Sequence, residues 1–331
     1  MIEIRRGAVR KMEKTYDVVA LGELLIDLTQ NGTSAQGNLL FEANPGGAPC
    51  NVLAMLQKLG HSTAFIGKVG EDNFGHVLAQ ALQEAGIAAD GLHFDKAIPT
   101  TLSLVHKLPN GDRDFSFYRS PGADMMLRPD EIPEDLVKGC RIFHFGTLSM
   151  TDDPVRSATH RAIEMAERAG AMLSFDPNLR PPLWRSLDDA HRAAEYGMQH
   201  CQILKISDDE IEWFTGCSDL DAGIEQLRGE YQIPLVLASF GPQGSRAYYR
   251  DIRVEMPAYR NPEPVDTTGA GDTFCGCCLD FVLQHGLDDL REEDLRQMLQ
   301  FANAAASCIT KRKGALRVMP TRAEIDQVLN A

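Results

Sequence analysis

Basic residues are in short supply: Lys and Arg total 33 against 47 Asp and Glu, a formal net charge of −14. A surface of that sign repels phosphate backbones and excludes general nucleic-acid binding. Long apolar runs are missing as well. No stretch reaches the ~18 continuous apolar residues of a membrane-spanning helix, and the start carries no signal-like apolar segment, so a cytoplasmic protein is expected. Cysteine is sparse, 8 in 331 residues, which rules out a disulfide scaffold in so long a chain. Cys275 and Cys278 have C-x-x-C spacing but sit in an apolar run from Thr273 to Leu283 without a second ligand pair; helix packing is the expectation. No His lies in H-E-x-x-H, no G-x-x-x-x-G-K-[ST] occurs, and no G-x-G-x-x-G follows a strand. Internal repeats and Pro/Ser-rich linkers are absent too. What is present, 44% hydrophobic and 24% charged residues, is ordinary globular material. The length exceeds the roughly 250–300 residues that one core serves, which predicts a large domain with an appendage, or two domains.

Residues 1–16 mix Arg and Lys with Glu and show no apolar period; they are expected to be a flexible extension, with Met12 a candidate start. Val18 to Leu21 suits a buried strand. Asn51–Leu59 reads as a helix closed by Gly60, Thr63–Ile66 as a strand, and Asn73–Ala85 as a helix ending at Gly86. The segments from Thr101 and Arg113 alternate in strand fashion around Asn110-Gly111, a hairpin signal. Strand and helix then alternate: Ile142–Phe145, a helix over 154–169, Met172–Phe175, a helix over 187–200, Ile203–Ile206, a helix near 220–230, and Leu235–Ser239. Repeated βα units predict an α/β fold with a doubly wound, mostly parallel sheet and helices on both faces. The interrupting hairpin is the expected appendage.

The segment Asp266-Thr267-Thr268-Gly269-Ala270-Gly271-Asp272 runs straight into an apolar helical stretch. Small residues before a helix start let backbone N–H groups converge on an anion, with the helix dipole behind them. An aspartate there competes with the anion unless it serves the acceptor, for example by taking a proton from an attacking hydroxyl. Asp272 as a plain helix cap is the alternative. Gly46-Gly47-Ala48-Pro49-Cys50-Asn51 again places glycines before a helix, with an amide able to meet hydroxyls; a simple turn is the alternative.

Together these two segments resemble the two signatures of the PfkB (ribokinase-like) family of carbohydrate kinases, the first spanning Gly46 to Gly70 and the second Asp266 to about Cys278. The resemblance covers about residues 17 to 328 and includes Gly22–Asp27, Asp114–Asp124, Asp176–Arg180, Lys205–Glu210, Ser239–Gly244, and Gly314-Ala315 with Pro320. Within the family the pattern is most similar to fructokinases. It implies ATP-dependent phosphorylation of fructose to fructose 6-phosphate. Aminoimidazole riboside, 2-keto-3-deoxygluconate or ribose kinases, and a non-catalytic sugar or nucleotide sensor, stay open as alternatives; against ribose, Ala48-Pro49 stands where ribokinases carry a lysine.

Carried over residue by residue, the resemblance implies Asp272 as general base and Gly269, Ala270 and Gly271 as anion hole. It places Asp27, Gly46, Gly47, Asn51 and Arg119 at the sugar, with an exposed strand arginine the alternative for Arg119. Asn178, Lys205, Ser239, Gly241, Gly244 and Asn303 match nucleotide positions. Glu210 matches a contact to hydrated Mg²⁺, although Ser207 replaces the family's usual Asn, and Asp208, Asp209 and Glu210 also suit a helix start. Asp266, Thr268 and Gly314 match a monovalent-cation site for K⁺. Lys311–Lys313 reads as a basic helix end. Leu53 and Cys277 depart from the signatures on apolar helix faces and imply repacking. The expected organisation is an α/β domain of residues 17–26, 45–96 and 121–331, with a discontinuous β lid of 27–44 and 97–120 that excludes water. The apolar faces of the lid imply a homodimer through it.

Overall fold

The computed structural model describes residues 14–107, 113–259, 261 and 264–330; the turn expected at Asn110-Gly111 and the extension before Lys14, Met12 included, lie outside them. The strands are β1 (Tyr16–Leu21), β2 (Leu25–Thr33), β3 (Leu39–Gly46), β4 (Thr63–Gly70), β5 (Ala88–Asp95), β6 (Leu102–Lys107), β7 (Arg113–Tyr118), β8 (Cys140–Gly146), β9 (Met172–Asp176), β10 (Ile203–Ser207), β11 (Leu235–Ser239), β12 (Ser245–Tyr249) and β13 (Ile252–Met256). The helices are α1 (Ala48–Lys58), α2 (Asn73–Ala85), α3 (Glu134–Lys138), α4 (Val155–Arg168), α5 (Leu187–His200), α6 (Asp208–Thr215), α7 (Leu220–Tyr231), α8 (Ala270–His285), α9 (Glu292–Ile309) and α10 (Arg322–Leu329).

Nine strands form one sheet in the order β13-β12-β11-β10-β9-β8-β1-β4-β5. From β5 to β11 every neighbouring pair is parallel, and β12 and β13 add an antiparallel edge. A parallel sheet is covered on both faces, so its strands carry unbroken apolar runs. In β1, Val18 and Ala20 belong to one core cluster, shared with α1, α2, α8 and α9, while Val19 and Leu21 belong to the other, shared with α4 and α5. That is the two-residue period of a strand buried on both sides. Each large aliphatic so buried contributes about 1.5–3 kcal/mol.

The helix ends follow local chemistry. Asp72 caps α2 by accepting from Gly75 N at 2.8 Å, and Gly86 ends it at φ 79°. Cys275 and Cys278 are buried and free on α8, in keeping with packing. Among the described residues no helix is long and apolar enough to cross a membrane. The expectations did not include β5, β12 or β13, although Ile252 to Met256 alternates apolar and polar residues, nor α3, α9 and α10.

The second sheet has the order β3-β2-β6-β7, with β2 and β6 parallel and the other pairs antiparallel. It stands at the carboxyl end of β1, to which β2 is joined by Gly22–Leu24. Its edge strand β3 leaves Leu39, Leu40 and Phe41 exposed.

Candidate active site

In an open α/β sheet, ligands bind beyond the carboxyl ends of the strands where the strand order reverses. Here the reversal falls between β1 and β8, and a cavity of about 800 Å³ opens there. Its floor comes from the ends of the large sheet and the starts of α1 and α8; its roof is the small sheet.

The floor is set by close backbone approaches. Gly47 has φ 126°, and a Cβ there would come within 2.3 Å of Glu23 O, so only glycine lets the start of α1 seat against the turn after β1. A Cβ on Gly276 would lie 2.9 Å from Met55 Cβ; its absence lets α1 and α8 come together. That contact brings Asn51 to Asp272, and Asn51 Nδ2 donates to Asp272 Oδ2 at 2.8 Å. Asn51 Oδ1 is buried and has no hydrogen-bond partner.

Asp272 sits in the first turn of α8, after Gly269 at φ 77°. Gly269 and Gly271 line the cavity; Ala270 does not, and its N–H donates to Thr267 O at 3.2 Å. The turn itself thus engages the Ala270 amide. Asp272 keeps some surface toward the cavity, yet protein packed around it pushes its pKa up to about 6; Asp176 adds to the rise, whereas Asn51 and Lys205 oppose it. Asp27, on β2, is likewise raised to about 6, chiefly by burial. The Ser103 hydroxyl beside it opposes that rise without reaching hydrogen-bonding geometry. Glu23 is raised to about 7, again by burial first, although its Oε1 accepts from Ala48 N at 2.8 Å.

Lys205 Nζ pairs with Asp176 Oδ2 at 3.1 Å; burial opposes its charge, but the carboxylates of Asp176, Glu210 and Asp272 together hold its pKa above the usual lysine value. A Cβ on Gly271 would stand 3.3 Å from that ammonium. Asn178 lies at φ 43°, a conformation that asparagine tolerates, and its N–H donates to Asp176 Oδ1 at 3.1 Å. The turn so formed carries Arg180 into the cavity wall. Asp266 accepts from Thr268 N at 2.8 Å and Gly314 N at 3.1 Å, stapling the loop before α8 to the loop after α9.

Of the predicted residues, Asp27, Gly47, Asn51, Asn178, Lys205, Thr268, Gly269, Gly271 and Asp272 line this cavity. A Cβ on Gly46 would meet Asp27 Oδ2 at 2.6 Å, so Gly46 acts just behind the wall. Arg119, Asn303 and Glu210 are held by protein partners outside the cavity wall. Arg119 is neither exposed nor in the cavity wall: its Nε pairs with Asp124 at 2.7 Å, Nη1 donates to Thr151 Oγ1 and Nη2 to Leu148 O. All its arms are spent inside the protein, so it ties the exit of β7 to the segment after β8. Asn303 is buried, its Oδ1 accepting from Ser245 and its Nδ2 donating to Met256 O and Pro257 O; its amide fastens α9 to the strands beside the Ser239–Gly244 turn. Glu210 accepts from Leu179 N with one oxygen and from Ser207 N and Oγ with the other, a capping box at α6 that explains Ser207.

Glu23, Ser103, Phe117 and Arg180 line the cavity and had been assigned no role. Glu23, Phe117 and Arg180 lie within motifs already singled out. Ser103 had only strand alternation to mark it, and alternation does not say which face meets a ligand.

A model of the pfkB family of carbohydrate kinases matches residues 15–322. The curated relative "Probable fructokinase-2" of Arabidopsis thaliana is 40% identical over 309 residues, 93% of this chain and 94% of that protein. Among solved structures, fructokinase with bound ATP from Xylella fastidiosa matches at TM-score 0.86 and 30% identity, covering 96% of this chain and 99% of that one. Fructokinase from Vibrio cholerae O395 in its fructose, ADP and calcium ion bound form matches at TM-score 0.85 and 30% identity, over 95% and 99% of the two chains. With both sheets accounted for and the match running nearly end to end, the chain belongs to the pfkB family of carbohydrate kinases.

Proposed function

We propose that this ATP-dependent carbohydrate kinase phosphorylates fructose at its 6-hydroxyl. The observation that carries the reading is the placement of Asp272: a carboxylate raised to about 6, in the first turn of α8, in one cavity with Asp27 and Asn51. In this reading Asp27, Gly46, Gly47 and Asn51 hold the sugar, and Asp272 takes the proton of the attacking hydroxyl. A base with a pKa a little below neutral is ionised at working pH yet still basic enough to accept that proton. The N–H groups of Gly269 and Gly271 and the start of α8 meet the charge developing on the transferred phosphoryl group. Lys205 adds a cation near Gly271, and its pairing with Asp176 holds it in place. The Ser239–Gly244 turn and the α9 surface held by Asn303 receive the nucleotide, with Asn178 nearer the phosphates.

The relatives with bound nucleotide and ions support ATP and a divalent metal. Among the described residues no group of three His, Cys, Asp or Glu side chains could hold a metal ion, and both oxygens of Glu210 already accept hydrogen bonds. Those residues fit Mg²⁺ carried by the nucleotide, with Glu210 reaching it through water. When bound, Mg²⁺ offsets phosphate charge. Asp266, with Thr268 and Gly314 fixed to it, is the proposed place of K⁺. The small sheet acts as a lid that excludes water, and its exposed Leu39, Leu40 and Phe41 form a homodimer contact. A cytoplasmic location belongs to the same reading. A coupled ADP-release assay over fructose, ribose, aminoimidazole riboside and 2-keto-3-deoxygluconate tests it: fructose is expected to give the highest kcat/KM, and preference for another acceptor overturns the fructose assignment.

A further inference from the structure

One row of side chains crosses the whole small sheet. Asn44 on β3, Asp27 on β2, Ser103 on β6 and Phe117 on β7 are successive register partners. Such partners project from the same face of a sheet, and Asp27, Ser103 and Phe117 all line the cavity. Ser103 is 1% exposed, and its Oγ is buried without a hydrogen-bond partner.

Burying an unmet hydroxyl is unfavourable and is rarely tolerated where nothing arrives to meet it. The chemistry of the row says what would arrive. Ionised Asp27 only accepts hydrogen bonds, whereas the serine hydroxyl both donates and accepts. Side by side on adjacent strands, about 4.8 Å apart along the hydrogen-bonding direction, the two suit neighbouring hydroxyls of one polyol. Phe117, next in the row, offers an apolar surface to the C–H face of such a molecule.

We infer that Ser103 is a specificity-determining residue of the acceptor site, hydrogen-bonded to the sugar hydroxyl next to the one held by Asp27. The inference rests on the kinase reading above and assigns its substrate class more closely: acceptors that keep both of those adjacent hydroxyls. An analogue lacking the hydroxyl at Ser103 leaves the serine unmet and is discriminated against.

The test compares wild type and Ser103→Ala with fructose and its 1-, 3- and 4-deoxy analogues, by ADP release and by calorimetric Kd. Ser103→Ala is expected to lower kcat/KM for fructose about 5–100-fold, with the KM for ATP within about twofold. One deoxy analogue should show the same loss on wild type and no further loss on the variant. The unliganded variant should melt at the same temperature or about 1–3 °C higher, because an unmet buried hydroxyl has gone; a serine with a merely structural role would lower it. Equal kcat/KM and Kd for both proteins on every sugar overturns the inference. The kinase reading fails on a different measurement, namely absence of wild-type turnover with any acceptor; the Ser103 assignment is then decided by the Kd comparison alone.

Discussion

The floor and the roof of the cavity are built by different means. Around the phosphoryl group the floor uses backbone: the start of α8, glycines at Gly269 and Gly271, and one carboxylate, Asp272, placed by a helix turn. The roof uses side chains that share a row across β2, β6 and β7, brought together only by strand register. A phosphoryl group demands much the same surroundings whatever its acceptor, so helix starts and N–H groups serve it. An acceptor is distinguished by where its hydroxyls lie, and that calls for exchangeable side chains on a scaffold. The difference predicts that substitutions in the floor act on kcat with any acceptor, while those in the roof act on acceptor choice.

The largest effect is expected at Asp272. Asp272→Ala should lower kcat by roughly 10²–10⁴-fold for every accepted sugar, while ATP binding by calorimetry persists. Near-normal kcat, or a loss confined to one sugar, would erase the distinction between floor and roof. Asp272→Asn adds a stability readout. Burial raises the folded-state pKa of Asp272 to about 6, above its unfolded value near 3.9, so ionisation opposes folding. This penalty is absent below about pH 4 and complete above about pH 6. The asparagine variant is therefore expected to gain ~1–2 kcal/mol over wild type at pH 8 in urea unfolding, a discounted conversion because the carboxylate faces the cavity, and to lose that advantage at pH 4. The activity of wild type should fall as pH drops below about 6, where the base is protonated.

The same contrast explains what could be read in advance. Helix starts announce themselves: Gly269 to Asp272 before an apolar helix is local in sequence, as is the Ser207 and Glu210 pair, although that pair proved to be a capping box with both carboxylate oxygens engaged. The central strands were legible because both faces are apolar. Register was not. Ser103 is 76 residues from Asp27 in the chain, and nothing local says that β6 lies parallel to β2 with those two residues abreast. Arg119 shows a second limit: a charged residue in an alternating segment suggests solvent or ligand, and only the fold reveals Asp124, Thr151 and Leu148 O around it.

Arg119 joins the two regions, so its removal tests whether they are separable. Arg119→Ala leaves Asp124 buried and unpaired, 3% exposed and still bonded to Thr101, and should cost about 3–5 kcal/mol. Arg119→Lys keeps the charge but not the three-way contact; it should retain most of the fold and raise acceptor KM more than it lowers kcat. An Arg119→Lys enzyme with unchanged KM would show that the roof holds its position without this tether. Gly276→Ala probes the floor. The added methyl meets Met55 and Val52 O at about van der Waals overlap, at an expected cost of ~1–3 kcal/mol. Since α1 and α8 are pushed apart, kcat should fall with little change in the ranking of sugars; a changed ranking would mean that the floor also selects the acceptor.

The smallest effect concerns the far end of α8. His61 hydrogen-bonds Asp280 at 2.6 Å and stands 3.6 Å from Asp17, and the Asp280 hydrogen bond is the main cause raising its pKa above the usual value. A histidine held charged in the fold stabilises it fully below the unfolded pKa near 6.5, and the benefit is lost as pH rises through the higher folded value. His61→Gln should therefore lower stability by ~0.5–1 kcal/mol at pH 5.5, the size expected for a partly exposed pair, and by less at pH 8.5. Because this cluster anchors the helix that presents Asp272 but touches nothing in the roof, acceptor KM values should stay within about twofold of wild type at both pH values. A shift in acceptor KM that tracks His61 ionisation would show that strain along α8 reaches the roof, and the two regions would have to be treated as one.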